Sequence, residues 1–454
     1  MWFPIRFPNR RTHTPHRQRR LGNKARTLRC EPLEDRTMLA DVSGTSVALD
    51  SAGNIYTTGY LQRWSDFGLG AQEAWVATDG GQDGYLAKYA PDNTLQWVKR
   101  LRGADYQALF DVAVDADGSV YVTGRTKGSA TFDGWEPPLD APGYASMVAK
   151  IDPNGSVLWA HVFGFQENSA TGNSGAFGVA LDGQGSLYVS GHFKGVDADF
   201  DPRSGVQWLM TAADNQDEFV AKFDSAGGLL QWATEISATE NVWCYAGTAN
   251  GAAMSNGSLA ADASGVYTTG AFLGTLQFGG QSYPNLGSSD LDGFAAKLNA
   301  DGTPAWVRQY TDRRVDSIAI DASHLYTAAA GGATWVGQGF VPKYDKGNPD
   351  APGGWCKLWE ESSDASARAN TGVFDLQVQG GTLYLTGSFA GTVDFNLDPT
   401  AQSTLSAIGT SDIFVWAMTD DGGFLHVGEF PQAYQTGWLS PLESTSGSLP
   451  FNAF

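Results

Sequence analysis

Few residues in this chain can do covalent chemistry. Of 454 residues, three are cysteine (Cys30, Cys244 and Cys356) and six are histidine. Two cysteines beyond residue 40 are too few for a disulfide framework. Cys244 and Cys356 could pair or remain buried thiols, and spacing alone leaves both open. The four histidines of the body, His161, His192, His324 and His426, are scattered and form no ligand cluster. Gly-x-Ser-x-Gly, His-Glu-x-x-His, Cys-x-x-Cys and P-loop patterns are all missing. No run approaches the roughly 18 apolar residues that a membrane-spanning helix needs. Charged residues are scarce at 17%, whereas 42% are hydrophobic and 56 are glycine. This balance excludes a disordered or coiled-coil chain and suits an all-β protein with many turns.

The formal charge of −20 is unevenly placed. Residues 1–40 carry ten Lys/Arg against three Asp/Glu, and the remainder carries 19 against 46. The acidic body should repel nucleic acid and anionic membranes, so neither is an expected partner.

What is abundant is repetition. A clause of the form Val112-Ala-Val-Asp-Ala-Asp-Gly-Ser-Val-Tyr-Val-Thr-Gly124 recurs, centred on Tyr56, Tyr121, Tyr188, Tyr267, Tyr326 and Tyr384. It alternates as strands do and breaks at Asp-Gly, which reads as a hairpin. A second clause follows, such as Met147-Val-Ala-Lys-Ile-Asp-Pro-Asn-Gly-Ser-Val-Leu-Trp159. Its Asp-Pro-Asn-Gly turn gives a second hairpin, because Pro sets φ and Gly permits positive φ. Two hairpins make a four-stranded antiparallel sheet whose two faces need neighbours. Radial packing supplies them, so the expected fold is an all-β β-propeller of six blades with four strands each. The repeats run over about 44–100, 108–165, 176–236, 257–312, 315–361 and 372–430. A disordered basic leader at 1–40 precedes them and a tail at 431–454 follows. Either the ring closes at six or the chain is part of a larger array.

Three positions recur with the clauses. Trp97, Trp159, Trp232, Trp306 and Trp359 end the closing strand, where inter-blade packing is expected. Asp50, Asp115, Asp182, Asp262 and Asp321 sit at the first turn, and Lys88, Lys150, Lys222, Lys297 and Lys343 on the third strand. The sixth copy loses the aspartate, the lysine (Ala417) and the tryptophan (His426) together. Joint loss predicts an Asp–Lys pair between strands one and three, within a blade or to the next, since an orphaned lysine would be costly.

Other candidates lie outside the repeat. Asp197, Asp199 and Asp201 alternate, so a strand would put three carboxylates on one face, where Ca²⁺ could bind. A solvated acidic edge, which also blocks strand-to-strand aggregation, is the plainer explanation. The insertion from Ser237 to Ser258, with Trp243, Tyr245 and Asn250, is a candidate binding loop, and Asp345 to Cys356 is a second excursion.

The two clauses resemble the SBBP-type β-propeller repeat of bacterial extracellular proteins. The stretch Glu31-Pro-Leu-Glu-Asp-Arg-Thr-Met-Leu39 after a basic run is similar to the LEPR-XLL-type leader of exported bacterial proteins. These resemblances imply an exported or cell-surface propeller. The segment ending at Trp159 is also similar to the docking motif of quinoprotein propellers, but no quinone site is visible. The expected function is a binding module for protein or polysaccharide, with no catalytic residues and no cofactor beyond the Ca²⁺ candidate. Two alternatives are a polysaccharide hydrolase or lyase using channel carboxylates, and an intracellular scaffold.

Overall fold

The structure, a computed structural model, describes residues 42–68, 73–165, 173–203, 208–243, 259–287, 291–331, 340–350, 356–358, 372–389, 391–396, 400–407, 412–430 and 442–444. All regular structure among them is β, and no helix is long and apolar enough to cross a membrane. The basic leader lies outside the described residues.

Among the described residues, six antiparallel units follow one another. The first is β1 (Val42–Leu49), β2 (Ile55–Leu61), a side hairpin of β3 (Trp64–Asp66) and β4 (Trp75–Ala77), then β5 (Asp83–Tyr89) and β6 (Leu95–Gly103). The second is β7 (Gln107–Val114), β8 (Val120–Phe132), β9 (Leu139–Ile151) and β10 (Val157–Phe163). The third is β11 (Gly175–Leu181), β12 (Ser186–Asp199), β13 (Leu209–Asp224) and β14 (Leu230–Ala238). The fourth begins after the short β15 (Val242–Trp243). It comprises β16 (Leu259–Asp262), β17 (Gly265–Leu273), a side hairpin of β18 (Thr275–Phe278) and β19 (Gln281–Pro284), then β20 (Leu291–Asn299) and β21 (Pro304–Tyr310). The fifth is β22 (Arg313–Ile320), β23 (His324–Gly331), β24 (Phe340–Asp345) and β25 (Cys356–Leu358). The sixth is β26 (Gly372–Gln379), β27 (Thr382–Phe389), a side hairpin of β28 (Thr392–Asp394) and β29 (Thr404–Ser406), then β30 (Asp412–Thr419) and β31 (Phe424–Phe430). A last strand, β32 (Leu442–Ser444), pairs in parallel with β1.

Within each unit the order is simple up-and-down, as in β1-β2-β5-β6. The first strand of each unit lies against the first strand of the next, from β1 through β26. The apolar layers lie between units. Ala48, Tyr56 and Leu86 of the first unit pack with Val112, Val122 and Ala149 of the second. Ala113 and Tyr121 of the second pack with Val179, Val189 and Phe219 of the third. A sheet that cannot cover its own faces is stabilised by its neighbour, at about 25 cal/mol per Å² removed from water.

The glycine that closes four of the first clauses, Gly59, Gly124, Gly191 and Gly387, has a steric cause. The first strand carries a bulge opposite it, as at Leu109/Asp111 and Ala176/Gly178, whereas in the fifth unit the bulge faces Ala329. The bulged backbone presses into the space a side chain would fill. A Cβ on Gly124 would stand 2.2 Å from the Ala108 carbonyl, and one on Gly191 would stand 2.0 Å from the Gly175 carbonyl.

Backbone cannot yield as a side chain can. Gly191→Ala should therefore cost more than about 3 kcal/mol in urea unfolding. Gly183, at φ +68 with open space around it, should cost only about 1–2 kcal/mol as alanine. Equal losses would dismiss the bulge as the reason for the repeated glycine.

Candidate binding surface

The recurring Lys and Trp meet on a single acceptor in the next unit. Lys88 Nζ and Trp97 Nε1 both donate to the Pro153 carbonyl, at 3.0 and 3.2 Å. Lys222 Nζ and Trp232 Nε1 both donate to the Ala300 carbonyl, at 3.0 and 3.1 Å. Lys150 reaches the Ser225 carbonyl, Lys343 the Asp420 carbonyl, and Trp306 the Lys346 carbonyl. The accepting atom always belongs to the turn between the third and fourth strands. A positive-φ glycine of that turn lies on the indole: a Cβ on Gly155, Gly228 or Gly302 would come 2.7–3.1 Å from Trp97, Trp159 or Trp232. The Trp159 Nε1 has no acceptor, because the turn it meets, Asp224 to Leu229, is one residue longer. Trp359 lies outside the described residues.

The expected Asp–Lys pair takes a different form. The lysine Nζ stands over the buried repeat tyrosine, 4.9–5.5 Å from the ring centre at Tyr56, Tyr121, Tyr188, Tyr267 and Tyr326. The tyrosine hydroxyl in turn donates to the turn aspartate: Tyr56 to Asp50, Tyr121 to Asp115 and Tyr326 to Asp321. A direct ion pair forms at Asp115–Lys150, 3.9 Å. Elsewhere the carboxylate is occupied by its own turn. Asp50 accepts from Ala52 and Asn54, and Asp182 from Gln184 and Ser186. Asp262 pairs with Lys346 of the next unit rather than with Lys297. Burial works against the Asp321 charge, but donors from Ser323, Tyr326 and His324 hold its pKa down to about 2. In three copies, at Tyr56, Tyr121 and Tyr326, the tyrosine thus stands between the two charges, while the sixth copy keeps Tyr384 without either charge.

Asp197, Asp199 and Asp201 do not converge. Asp197 adopts φ 54 and the β12–β13 register slips between Gly195 and Ala198, so the alternation fails there. Asp199 accepts from the Asp201 and Trp208 amides, and Asp201 holds Arg203 at 2.5 Å. The same arrangement shapes other side loops: Asp66 accepts from Gly68 and Ala74, and Asp394 from Asn396 and Ser403. In each case the next residue, Phe67, Phe200 or Phe395, is buried. Trp243 ends β15, paired opposite Ala271 of β17. Tyr245, Asn250 and Cys244 lie outside the described residues.

Two features were not singled out in the sequence. The first is a pair of exposed tryptophans on the β3–β4 hairpin. Trp64 is 58% and Trp75 54% exposed, with ring centres 4.8 Å apart at 56°. Arg100 fixes this hairpin by donating to the Ala77 carbonyl and to Asp79, while also pairing with Asp133. Glu73 accepts from Trp75 Nε1 at 3.4 Å, and Arg63 is exposed beside Trp64. Trp208 and Leu209 are likewise exposed on the corresponding connection of the third unit. The signal was present: these tryptophans fall outside the repeat frame, between the second and third strands.

The second feature is a set of buried acids. Asp111, on a first strand, ties three units by accepting from Ser46 Oγ at 2.7 Å and from the Val179 amide at 2.8 Å. Asp375 accepts from Ser317 Oγ and the Leu376 amide. Burial pushes Asp375 up to about 7, helped by the charge of Asp111, and pushes Asp111 up as well. Glu218, wholly buried and accepting from Thr268 Oγ1 at 2.6 Å, is pushed up by burial to about 8. Burial holds His192 down at about 3, helped by Arg125.

These acids make stability depend on pH. A carboxyl with a raised folded pKa contributes stability that is complete below its unfolded value of about 4 and is lost as pH rises through the folded value. His192 acts oppositely, and its contribution is lost below its ordinary value of about 6.5. The melting temperature should therefore fall between about pH 6 and about pH 8.5, and Glu218→Gln should flatten that fall. An unchanged slope in the variant would remove Glu218 from the account.

Comparison with known proteins finds one repeat-family match and several remote similarities. Residues 39–60 match the SBBP β-propeller repeat family. An uncharacterized WD repeat-containing protein of Acanthamoeba polyphaga mimivirus is 30% identical over 122 residues, which is 26% of this chain and 8% of the viral protein. Among solved structures, a protein of unknown function from Bacteroides caccae aligns over 70% of this chain and 82% of its own, at 12% identity and a TM-score of 0.33. The quinohemoprotein alcohol dehydrogenase ADHIIG from Pseudomonas putida aligns over 86% of this chain and 61% of its own, at 12% identity and a TM-score of 0.38. The β-propeller domain of the Trilobed protease from Pyrococcus furiosus aligns over 83% of this chain and 93% of its own, at 7% identity and a TM-score of 0.33. With its repeat match and its succession of four-stranded units, the chain is an all-β protein of β-propeller architecture.

Proposed function

We propose that this chain is an exported binding module that holds a neutral polysaccharide on the Trp64–Trp75 hairpin. The observation that carries this reading is the exposed, inclined indole pair, more than half open to solvent on both rings. A pyranose offers an apolar C–H face with hydroxyls around it. Two tilted rings flanked by Glu73 and Arg63 match that pattern of apolar centre and polar edge. A protein partner would call for a broader apolar patch, whereas this one is confined to a two-stranded hairpin. The acidic body disfavours polyanions, which selects neutral chains. The leader similar to export segments supports a location outside the cell, and recovery of the chain from cytosol alone would discard that part.

The buried acids motivate a second reading, hydrolysis of the same polymer. Asp375, pushed up to about 7 by burial and by the charge of Asp111, could act as an acid if a substrate reaches it.

One set of measurements separates these readings. Native gel retardation in hydroxyethyl cellulose should be strong, and weak in polygalacturonate. Trp64→Ala and Trp75→Ala should each lower affinity about tenfold without moving the melting temperature. Retardation unchanged in both variants would overturn the binding reading. Release of reducing ends by the parent chain, abolished in Asp375→Asn, would establish the hydrolase instead.

A further inference from the structure

We infer that Tyr60, Tyr106, Arg125, Lys127 and Tyr144 form a receptor for one carboxylate carried on a small ring, as in a sugar acid or an aromatic acid. The inference does not rest on the Trp64–Trp75 hairpin.

The cluster is built where the chain crosses from one unit to the next. Tyr60 lies near the end of β2, Tyr106 just before β7, Arg125 and Lys127 on β8, and Tyr144 on β9. Backbone ties fix their positions. The Lys127 amide donates to the Tyr106 carbonyl at 3.0 Å, and the Gln107 amide to the Gln82 carbonyl at 2.8 Å. Gln107 Nε2 donates to the Lys127 carbonyl at 2.8 Å. Arg125 Cζ lies 3.8 Å from the centre of the Tyr144 ring, and Lys127 Nζ lies 5.5 Å from it. Arg125 also donates to Asn173 Oδ1, just ahead of β11. Tyr106 meets Tyr144 edge-on, with ring centres 5.6 Å apart at 77°. It is close enough to Arg125, Tyr60 and Tyr144 for each to act on its hydroxyl. Beneath them Tyr60 and Tyr106 pack on Ala108, Phe110 and Phe177. Gly175 leaves room for the arginine, because a Cβ there would stand 3.5 Å from Arg125 Cδ. All five side chains remain partly open to solvent.

The polar groups of this cluster are rich in donors. Ammonium and guanidinium only donate, and a phenol hydroxyl donates readily. The Gln82 side chain lies beside the Tyr106 hydroxyl, and its buried Nε2 has no acceptor in good geometry among the described residues. What such a cluster lacks is an acceptor, and a carboxylate supplies one in charged form. The ring that carries it can rest on the tyrosine faces. The charge balance sets the number. Beyond residue 40 there are 19 Lys/Arg against 46 Asp/Glu, so two cations two positions apart stand out. Asp105 flanks them beside Gly128, which leaves one positive charge in surplus. That suits a single carboxylate, whereas a polyanion would meet the acidic body around it.

Isothermal titration of the full-length chain tests this with D-glucuronate and benzoate, against glucose and acetate. One of the two ring acids should bind at least about tenfold tighter than glucose and acetate, and the tighter one identifies the source of the carboxylate. Lys127→Met and Tyr106→Phe should each weaken that acid about five- to tenfold. Lys194→Met, an equal loss of charge on an exposed part of β12, and Trp64→Ala should leave it unchanged. Arg125→Met should abolish binding; if it also lowers the melting temperature, Lys127→Met and Tyr106→Phe decide. Ring acids bound no tighter than glucose and acetate, or Lys194→Met as damaging as Lys127→Met, would overturn the inference. Loss of retardation in hydroxyethyl cellulose with carboxylate binding intact would refute the hairpin reading and leave this one standing.

Discussion

A lysine and a tryptophan that share one carbonyl of the neighbouring unit hold this molecule in register. Each sheet buries its faces only against its neighbours, so the orientation between sheets must be fixed by something other than apolar area. The shared carbonyl does this at Pro153 and Ala300, where an ammonium and an indole N–H converge within 3.2 Å. The ammonium is retained in a half-buried place because the tyrosine face beneath it is negative and the tyrosine hydroxyl leans on a carboxylate. The turn that offers the carbonyl is tight and glycine-bearing, which lets it lie flat on the ring. Asp, Tyr, Lys, Trp and Gly therefore form one continuous device from the first turn of a unit to the last turn of the next.

Much of this was legible from residue order. The two clauses give two hairpins, and alternation with β-branched residues places strands where they are observed. Trp97, Trp159 and Trp232 lie against the glycine-bearing turns Gly155, Gly228 and Gly302 of the following unit. The nature of the Asp–Lys relation was not legible, because co-occurrence reports dependence and not distance. Tyr56 and its counterparts were read as strand residues, so their place between the two charges went unseen. Alternation misled at Asp197, where a positive φ and a register slip undo the period of two.

The buried aspartates of the second clause were also missed. Asp83, Asp217, Asp292 and Asp412 are all nearly or wholly buried. Asp83 accepts from the Asp79 and Gly103 amides, and Asp292 from those of Leu286 and Asp312. Each thus pins a side loop and the crossing to the next unit at once. In sequence they look like ordinary polar residues ahead of a strand. Only the path of the chain on both sides explains them. The exposed pair Trp64 and Trp75 escaped notice for a related reason: the repeat drew attention to tryptophans that recur, and these do not.

The shared-carbonyl joint has a direction. Donors always come from the earlier unit and the acceptor from the later one, so a unit is asymmetric end to end. An internal unit can be duplicated or deleted with both joints regenerated, because its neighbours offer matching halves. The first and sixth units differ from the others, the first carrying Asn93 where Gly155 and Gly302 stand elsewhere and the sixth Ala417 and His426 at the donor positions. The units between them should therefore be more alike to one another than to these two.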